Sequence, residues 1–451
     1  MTRLDIISLE MGYGHLRAAC PIADALGRAL YLADKPPIAG DNDARLWQWI
    51  RRGHSFLSRP SNSDWLVRQA NALMDLVTII PPMHEGSDQS KPDFATKFID
   101  QLIKRGLGHG LVDYLRSRNS ALFTTIYAPA LVANAADIER IYCVVTDADV
   151  QRVWVPYHPR QSRIHYFAPS TRVARRLLAY GVQENHVTLT GFPLPYELTS
   201  SLALETIPKQ VARRIVRLDP EGTFRRLHAP VLAKLLGDLP EDSSDPLVLT
   251  IAIGGAGAQA SLADEVLPRL KDRIRDDRLH LNLIAGTRAE VAQKFAHAVE
   301  RSRLTSRLGK SIHILFEASF DAYYRRFNAL LPTTDILWTK PSELSFYAGL
   351  GIPLILSQPV GTHERYNRRW LRERGAALKQ RRMEHFPGWF DEWMVDGTLA
   401  AAAWSAFTRI PSDGTLNITR ALAEFEPSAD AAACNPMAAV LPFGAASSHR
   451  A

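Results

Sequence analysis

The chain has 451 residues, of which 46% are apolar and 22% charged. That balance supports well-packed cores and, at this length, two or three domains. It contains no run of about 18 apolar residues, which argues against a membrane-spanning helix, and its N-terminus lacks the basic start and long apolar stretch of a secretory signal.

Three widely scattered cysteines, Cys20, Cys143 and Cys434, form neither a disulfide framework nor a zinc spacing and fit a reducing, cytoplasmic compartment. The formal charge of +7 is compatible with nucleic acid, an anionic membrane surface or a phosphate-bearing substrate. The basic residues are dispersed, with denser stretches at 51–53, 212–217 and 365–375, and no nucleic-acid motif accompanies them. Solvated helix faces are the simpler reading of such stretches.

The segment LDIISLE (4–10) reads as a buried strand, short and rich in Ile and Leu. LRAACPIADALGRAL (16–30) follows with helical spacing at Leu16, Ala19, Ile22, Leu26 and Leu30. Residues 40–118 are expected to form a mostly helical insert. ALFTTIYAP, RIYCVVTDAD and RIHYFAPS are strands that end in loops. STRVARRLLAYGV is a helix with Ser170 as its cap and Gly181 at its end, and HVTLTGFPL is one more strand. Alternation of strands and helices predicts a parallel, doubly wound sheet.

A charged, partly helical segment at 201–245 closes with LPEDSSDP, a proline-bounded linker. A second alternating series then begins at LVLTIAIGGAGA and runs through LHLNLIAGT, IHILFE, ALLPTTDILWTK and PLILSQP. The expected domains are therefore 1–200 and 246–426, with 201–245 between them. The Ala-, Ser- and Pro-rich tail 427–451 is expected to be disordered.

Open α/β sheets bind ligands beyond the carboxyl ends of their strands, and both glycine turns lie there. In IGGAGA, Gly254, Gly255 and Gly257 let the backbone approach an anion, with the N–H groups of the following helix aimed at it. A purely structural strand-to-helix turn is the alternative. In MGYGHLRAA, Gly12, Tyr13 and Gly14 lead into His15 at a helix start, where the dipole favours the neutral imidazole, a base or hydrogen-bond partner. A capping or packing histidine is the alternative. Thr146, Asp147 and Asp149 end the strand IYCVV, and Trp154, Tyr157 and His158 follow closely. Asp147 is a candidate general base or orienting group, or else the head of an Asx turn. In the second series, Lys340, Ser342 and Glu343 stand at the mouth of a helix expected to begin near Pro341, a good helix start whatever the function. His363, Glu364 and Asn367 cluster after the next strand end, where carboxylate and amide groups suit sugar or ribose hydroxyls.

In order and spacing, MGYGHLRAA, VVTDADVQRVWVPYHP, HYFAPSTRVARRLLAYGV, TGFPLP, IGGAGA, TKPSE, GIPLIL and HERYN resemble the motifs of GT-B glycosyltransferases. The likeness is to the monogalactosyldiacylglycerol synthases and the peptidoglycan GlcNAc transferases, over residues 1–200 and 245–375. The resemblance implies two doubly wound Rossmann-like domains facing across a cleft. It implies a nucleotide diphosphate sugar donor, UDP-linked, held by the second domain through Gly254, Gly255, Gly257, Lys340, Ser342, Glu343, His363, Glu364 and Asn367. The acceptor would lie on the first domain near Gly12, Tyr13, Gly14, Trp154 and His158, with His15 and Asp147 catalytic. Beyond the donor as co-substrate, no cofactor and no metal are expected. The acceptor is expected to be lipid-linked or a small molecule; because the related enzymes work at membranes, peripheral contact with the inner face of a membrane is expected too. Aromatic residues at 46–80, Trp47, Trp49, Phe56 and Trp65 among them, either rest on lipid headgroups or pack the first domain.

The sequence departs from those families at points that matter. Tyr13 replaces a glycine of the first turn, the TK loop lacks a Gly-Pro-Gly-Thr run, and His363 stands where glutamine is frequent. The helical glutamate that would meet the ribose aligns with Phe346, and Glu343, about one helical turn earlier, is its substitute. Two other readings stand beside the transferase: a UDP-sugar 2-epimerase of the same plan, and a nucleotide-sugar-binding protein without turnover.

Overall fold

The computed structural model describes residues 3–40, 43–47, 80–83, 88–200, 205–241, 245–252, 261–359 and 361–426. The expected disordered tail lies outside these residues. Two compact units emerge from the packing: one of residues 1–199, 361–366 and 412–451, the other of 200–360 and 367–411.

The first unit contains a six-stranded parallel sheet in the order β2-β1-β3-β4-β5-β6. Its strands are β1 (Arg3–Ser8), β2 (Leu30–Leu32), β3 (Ser120–Thr124), β4 (Ile141–Val144), β5 (Ile164–Ala168) and β6 (Val187–Leu189). Alternate residues feed two separate cores, as a sheet covered on both faces requires. Ile7, Leu122, Cys143 and Tyr166 join one face, with Trp47 and the helices of the insert. Ile6, Phe123, Val144 and Phe167 join the other, with Ile22, Ile418 and Leu422.

Helices form where the sequence supplies both a cap and an apolar face. Ser170 accepts from the Val173 amide at the start of the helix Thr171–Ala179, as expected from sequence. The helix expected at 16–30 runs from Tyr13 to Leu26 and stops at Gly27, which takes the left-handed conformation that terminates helices. Leu30, expected on its apolar face, instead opens β2. Within the insert, the described helical residues are 43–47, Phe94–Lys104 and His109–Arg118.

The second unit repeats the plan with β7 (Leu247–Ala252), β8 (Leu279–Gly286), β9 (Ile312–Phe316), β10 (Ile336–Thr339), β11 (Leu354–Leu356) and β12 (Ala377–Lys379). All are parallel, in the order β12-β11-β10-β7-β8-β9. This order, renumbered within the unit, is that of a dinucleotide-binding sheet.

Two boundaries differ from the sequence expectation. The segment 201–245 is part of the second unit rather than a piece between domains. Its helix Thr206–Arg217 carries the fully buried Arg214, whose Nε donates to the Thr334 carbonyl (2.9 Å) and whose Nη1 donates to those of Leu350 (3.2 Å) and Gly351 (3.1 Å). The last described helix, Gly414–Phe425, belongs to the first unit, where Thr415 donates to the Leu194 carbonyl and Asn417 to that of Thr190 (2.9 Å).

Candidate functional site

Each sheet reverses its strand order once, and the glycine turn of MGYGHLRAA falls at the reversal in the first unit. In the first unit the reversal lies between β1 and β3. The β1–β3 register pairs Ile6 with Phe123, so continuing it sets Ser8 opposite Thr125, and their hydroxyl oxygens are 2.9 Å apart. The Thr125 hydroxyl donates to the main-chain carbonyl of His15 (2.7 Å). Nδ1 of His15 lies 2.7 Å from the carbonyl oxygen of Thr125 and 3.3 Å from Oγ1 of Thr146. Ser8, Thr125 and Thr146 are buried, while His15 is half-buried.

Other predicted residues of this unit gather unevenly around the histidine. The Trp154 ring is 6.5 Å from that of His15 and 5.5 Å from that of Tyr127. It is buried, and the Tyr166 hydroxyl donates to its carbonyl (2.8 Å). Gly12 is exposed, with φ +93° in a region that favours glycine, and open space lies where a Cβ would stand. Its backbone conformation, then, is what calls for glycine. Tyr13 is half-buried, with the Arg17 guanidinium 6.0 Å from its ring centroid, and Gly14 lies in the first turn of the same helix. His158 is exposed, and its ring packs on Tyr157 at 4.9 Å.

The two aspartates of TDAD divide sharply. Asp147 is half-buried, next in chain to Thr146. Asp149 is fully buried and accepts from Arg172 Nε (2.6 Å), from Arg176 Nε (2.9 Å) and Nη2 (3.1 Å), and from the Val150 amide (3.0 Å). Its oxygens are committed to holding the helix Thr171–Ala179 against this loop.

In the second unit the reversal lies between β7 and β10. Gly254, Gly255 and Gly257 follow β7 and lie outside the described residues. Lys340, Ser342 and Glu343 follow β10. The Ser342 amide donates to the Lys340 carbonyl (2.8 Å), a tight turn that Pro341 favours. The expected α-helix is a 3₁₀ helix instead, Glu343–Leu350, buried from Leu344 onward. With three residues per turn, Glu343 and Phe346 share one side of it. Phe346 is itself buried, 5.1 Å from the Trp370 ring, so the position that aligns with the ribose-binding glutamate belongs to the core.

HERYN opens the helix Thr362–Glu373, and the unit boundary falls within it: His363 and Glu364 pack with the first unit, Asn367 with the second. His363 is half-buried, and Glu364 and Asn367 are buried. Asn367 Nδ2 donates to the Pro341 carbonyl (3.2 Å), so its amide braces the TKPSE loop.

One feature of this loop region was not foreseen. Thr339 Oγ1 ends β10, Ser345 Oγ lies on the 3₁₀ helix, and Ser357 Oγ follows β11. All three are buried and lack a hydrogen-bond partner. A buried hydroxyl without a partner costs about 1–3 kcal/mol, which a polar ligand group at the strand ends would relieve. Among the described residues no cluster of His, Cys, Asp and Glu could hold a metal ion.

Residues 303–386 match the model of a domain of unknown function, DUF6938. Over 264 residues the chain is 22% identical to the processive diacylglycerol beta-glucosyltransferase of Bacillus subtilis (strain 168), covering 58% of this chain and 56% of that protein. The chain thus spans little more than half the length of this curated relative. Among solved structures it is similar to MurG of Acinetobacter baumannii, with 13% identity, a TM-score of 0.48 and coverage of 94% and 99% of the two chains. It is also similar to a Listeria monocytogenes structure described as a UDP-N-acetylglucosamine 2-epimerase, with 12% identity, a TM-score of 0.47 and coverage of 95% and 98%. The Bacillus relative bears out the resemblance to glycosyltransferases read from the motifs, and the two parallel sheets bear out the two-domain α/β plan.

Proposed function

We propose that this protein transfers a sugar from a nucleotide diphosphate sugar, UDP-linked, to a lipid-borne hydroxyl, inverting the anomeric carbon. The observation that carries the reading is the placement of His15 at the strand-order reversal of the first sheet, hydrogen-bonded to Thr125 across it. At such a point a ligand meets strand ends and a helix N-terminus together.

In this reading His15 takes the proton of the acceptor hydroxyl as its oxygen attacks the anomeric carbon. The bond from that carbon to the diphosphate breaks on the opposite face, and its electron pair leaves with the diphosphate. The Gly254, Gly255 and Gly257 amides and the Lys340 ammonium stabilise the departing charge. Ser342, Glu343, His363 and Glu364 serve the donor, Asn367 acts by bracing the TKPSE loop, and the hydroxyls of Thr339, Ser345 and Ser357 find partners on the nucleotide. Asp147 supports the base.

Support for a lipid acceptor comes from the helix Phe94–Lys104. The exposed rings of Phe94 and Phe98 stack at 6.4 Å, and Lys91, Lys97 and Arg105 are exposed on or beside the same helix, while Lys104 pairs with Asp100 (2.7 Å). An aromatic pair set among cations suits an anionic membrane surface, and would hold the enzyme at the inner face of a membrane. Trp47, one of the aromatics of the 46–80 segment, is buried, and Trp49, Phe56 and Trp65 lie outside the described residues. No described helix is long and apolar enough to cross a membrane.

Calorimetry with UDP tests the donor: micromolar binding that Gly255→Val abolishes and Glu364→Ala weakens is expected. Absence of binding to any nucleoside diphosphate overturns the proposal. Consumption of a UDP-sugar without acceptor marks an epimerase, and binding without turnover a non-catalytic protein.

A further inference from the structure

We infer that Thr125 and Ser8 are positioning residues that fix His15 as its Nδ1–H tautomer, so that Nε2 carries the lone pair that receives a substrate proton. The argument follows from which atoms are able to donate. A carbonyl oxygen only accepts, so the 2.7 Å contact between the Thr125 carbonyl and His15 Nδ1 requires hydrogen on Nδ1. Reversing the ring would put a carbon at that distance. The neutral imidazole has one N–H, so Nε2 is left as the acceptor.

The partner carbonyl is itself held. Thr125 has one hydroxyl hydrogen, and the main-chain carbonyl of His15 takes it at 2.7 Å. The 2.9 Å contact between the Ser8 and Thr125 hydroxyls is therefore made with Ser8 as donor. Thr125 thus both gives a hydrogen bond to His15 and accepts one from it, while Ser8 orients the threonine from the neighbouring strand. Thr146 Oγ1, at 3.3 Å, is a second and longer acceptor for the same Nδ1–H. When Nε2 gains a proton, every one of these bonds is kept and the ring need not turn. A base held in its competent tautomer requires no reorganisation at the moment of transfer.

The tautomer is readable without substrate, by nitrogen NMR of the whole protein labelled at histidine, with His15 assigned by the signal that His15→Gln removes. In the neutral ring, Nδ1 is expected in the pyrrole-like range and Nε2 in the pyridine-like range. Thr125→Val should leave a mixture of tautomers, and Thr125→Ser should restore the native pattern. The reversed pattern in the native protein overturns the inference, even if no variant folds. So does an unchanged pattern in a folded Thr125→Val protein, or in Ser8→Ala and Thr125→Val together.

The kinetic arm rests on His15 being the base of the proposed transfer. There Thr125→Val should lower kcat about tenfold with the donor KM unchanged, and Thr125→Ser should recover it. A protein with the inferred tautomer but no nucleotide binding loses the transferase reading and keeps this one.

Discussion

Arg176 grips both carboxylate oxygens of Asp149 with Nε and Nη2, at 2.9 and 3.1 Å, and neither side chain is exposed to solvent. The pair, joined by Arg172 and the Val150 amide, ties the loop after β4 to the helix that follows β5. Removing one partner strands a buried charge, which is far costlier than losing a surface ion pair. Asp149→Ala should therefore destabilise the first unit by about 3–5 kcal/mol, seen as a lowered urea midpoint. Asp147→Asn, two residues earlier, should leave stability within about 0.5 kcal/mol of the native value and lower turnover instead. Equal midpoints for the two variants would show that the division between the aspartates has been misread.

Gly351 ends the 3₁₀ helix with φ +72°, and a Cβ there would stand 2.3 Å from Val211 Cγ2. Strain and overlap act in the same direction. Gly351→Ala should cost about 2 kcal/mol or more, and Gly351→Ala with Val211→Ala should recover the part due to overlap. If the single variant matches the native thermal midpoint, the close approach is not a constraint.

His165 is pushed down to about 4 by burial, with a smaller contribution from His186 beside it. Its ordinary value is about 6.5, so between these limits the unfolded chain binds a proton that the folded chain refuses. Stability is therefore full above about pH 6.5 and is lost as pH falls towards 4, by about 3 kcal/mol in total. Nε2 of His165 lies 2.7 Å from the Thr188 hydroxyl, a contact that His165→Gln can approximate. Stability of the two proteins, followed by urea unfolding from pH 7 to 4, should converge as pH falls. Parallel curves would assign the acid sensitivity elsewhere.

The stacked Phe94 and Phe98 lead to a simpler experiment. Phe94→Asp with Phe98→Asp should abolish sedimentation with phosphatidylglycerol vesicles and leave UDP binding intact. Lys97→Glu should weaken it in a salt-dependent way. Native protein that ignores such vesicles, yet forms dimers which the double variant cannot, would make this face a protein interface.

Much of the architecture was legible because local signals and the final fold agree. Short Ile- and Leu-rich runs ending in Gly, Thr or Asp became the strands, and Ser170 caps the helix it was expected to cap. His15 was recognisable from its place between a strand and a helix. Its partner was not, because Thr125 lies 110 residues away and meets it only through the pairing of β1 with β3. Thr339, Ser345 and Ser357 are ordinary strand and turn residues in sequence, and only burial without partners singles them out. The 3₁₀ helix at Glu343 escaped for another reason: a proline followed by Ser and Glu begins either kind of helix, and packing decides between them. Asn367, read as a sugar ligand, donates to the loop carbonyl that folding places beside it.

The helix Gly414–Phe425 packs in the first unit although the whole second unit precedes it in the chain. During synthesis β1 to β6 emerge early, yet one face of their sheet stays bare of Ile418 and Leu422 until the second unit has been made. A nascent chain halted near residue 200 should therefore expose apolar surface and depend on chaperones. For the same reason, truncation near residue 200 uncovers this face, and the first unit produced alone needs the helix Gly414–Phe425 supplied with it.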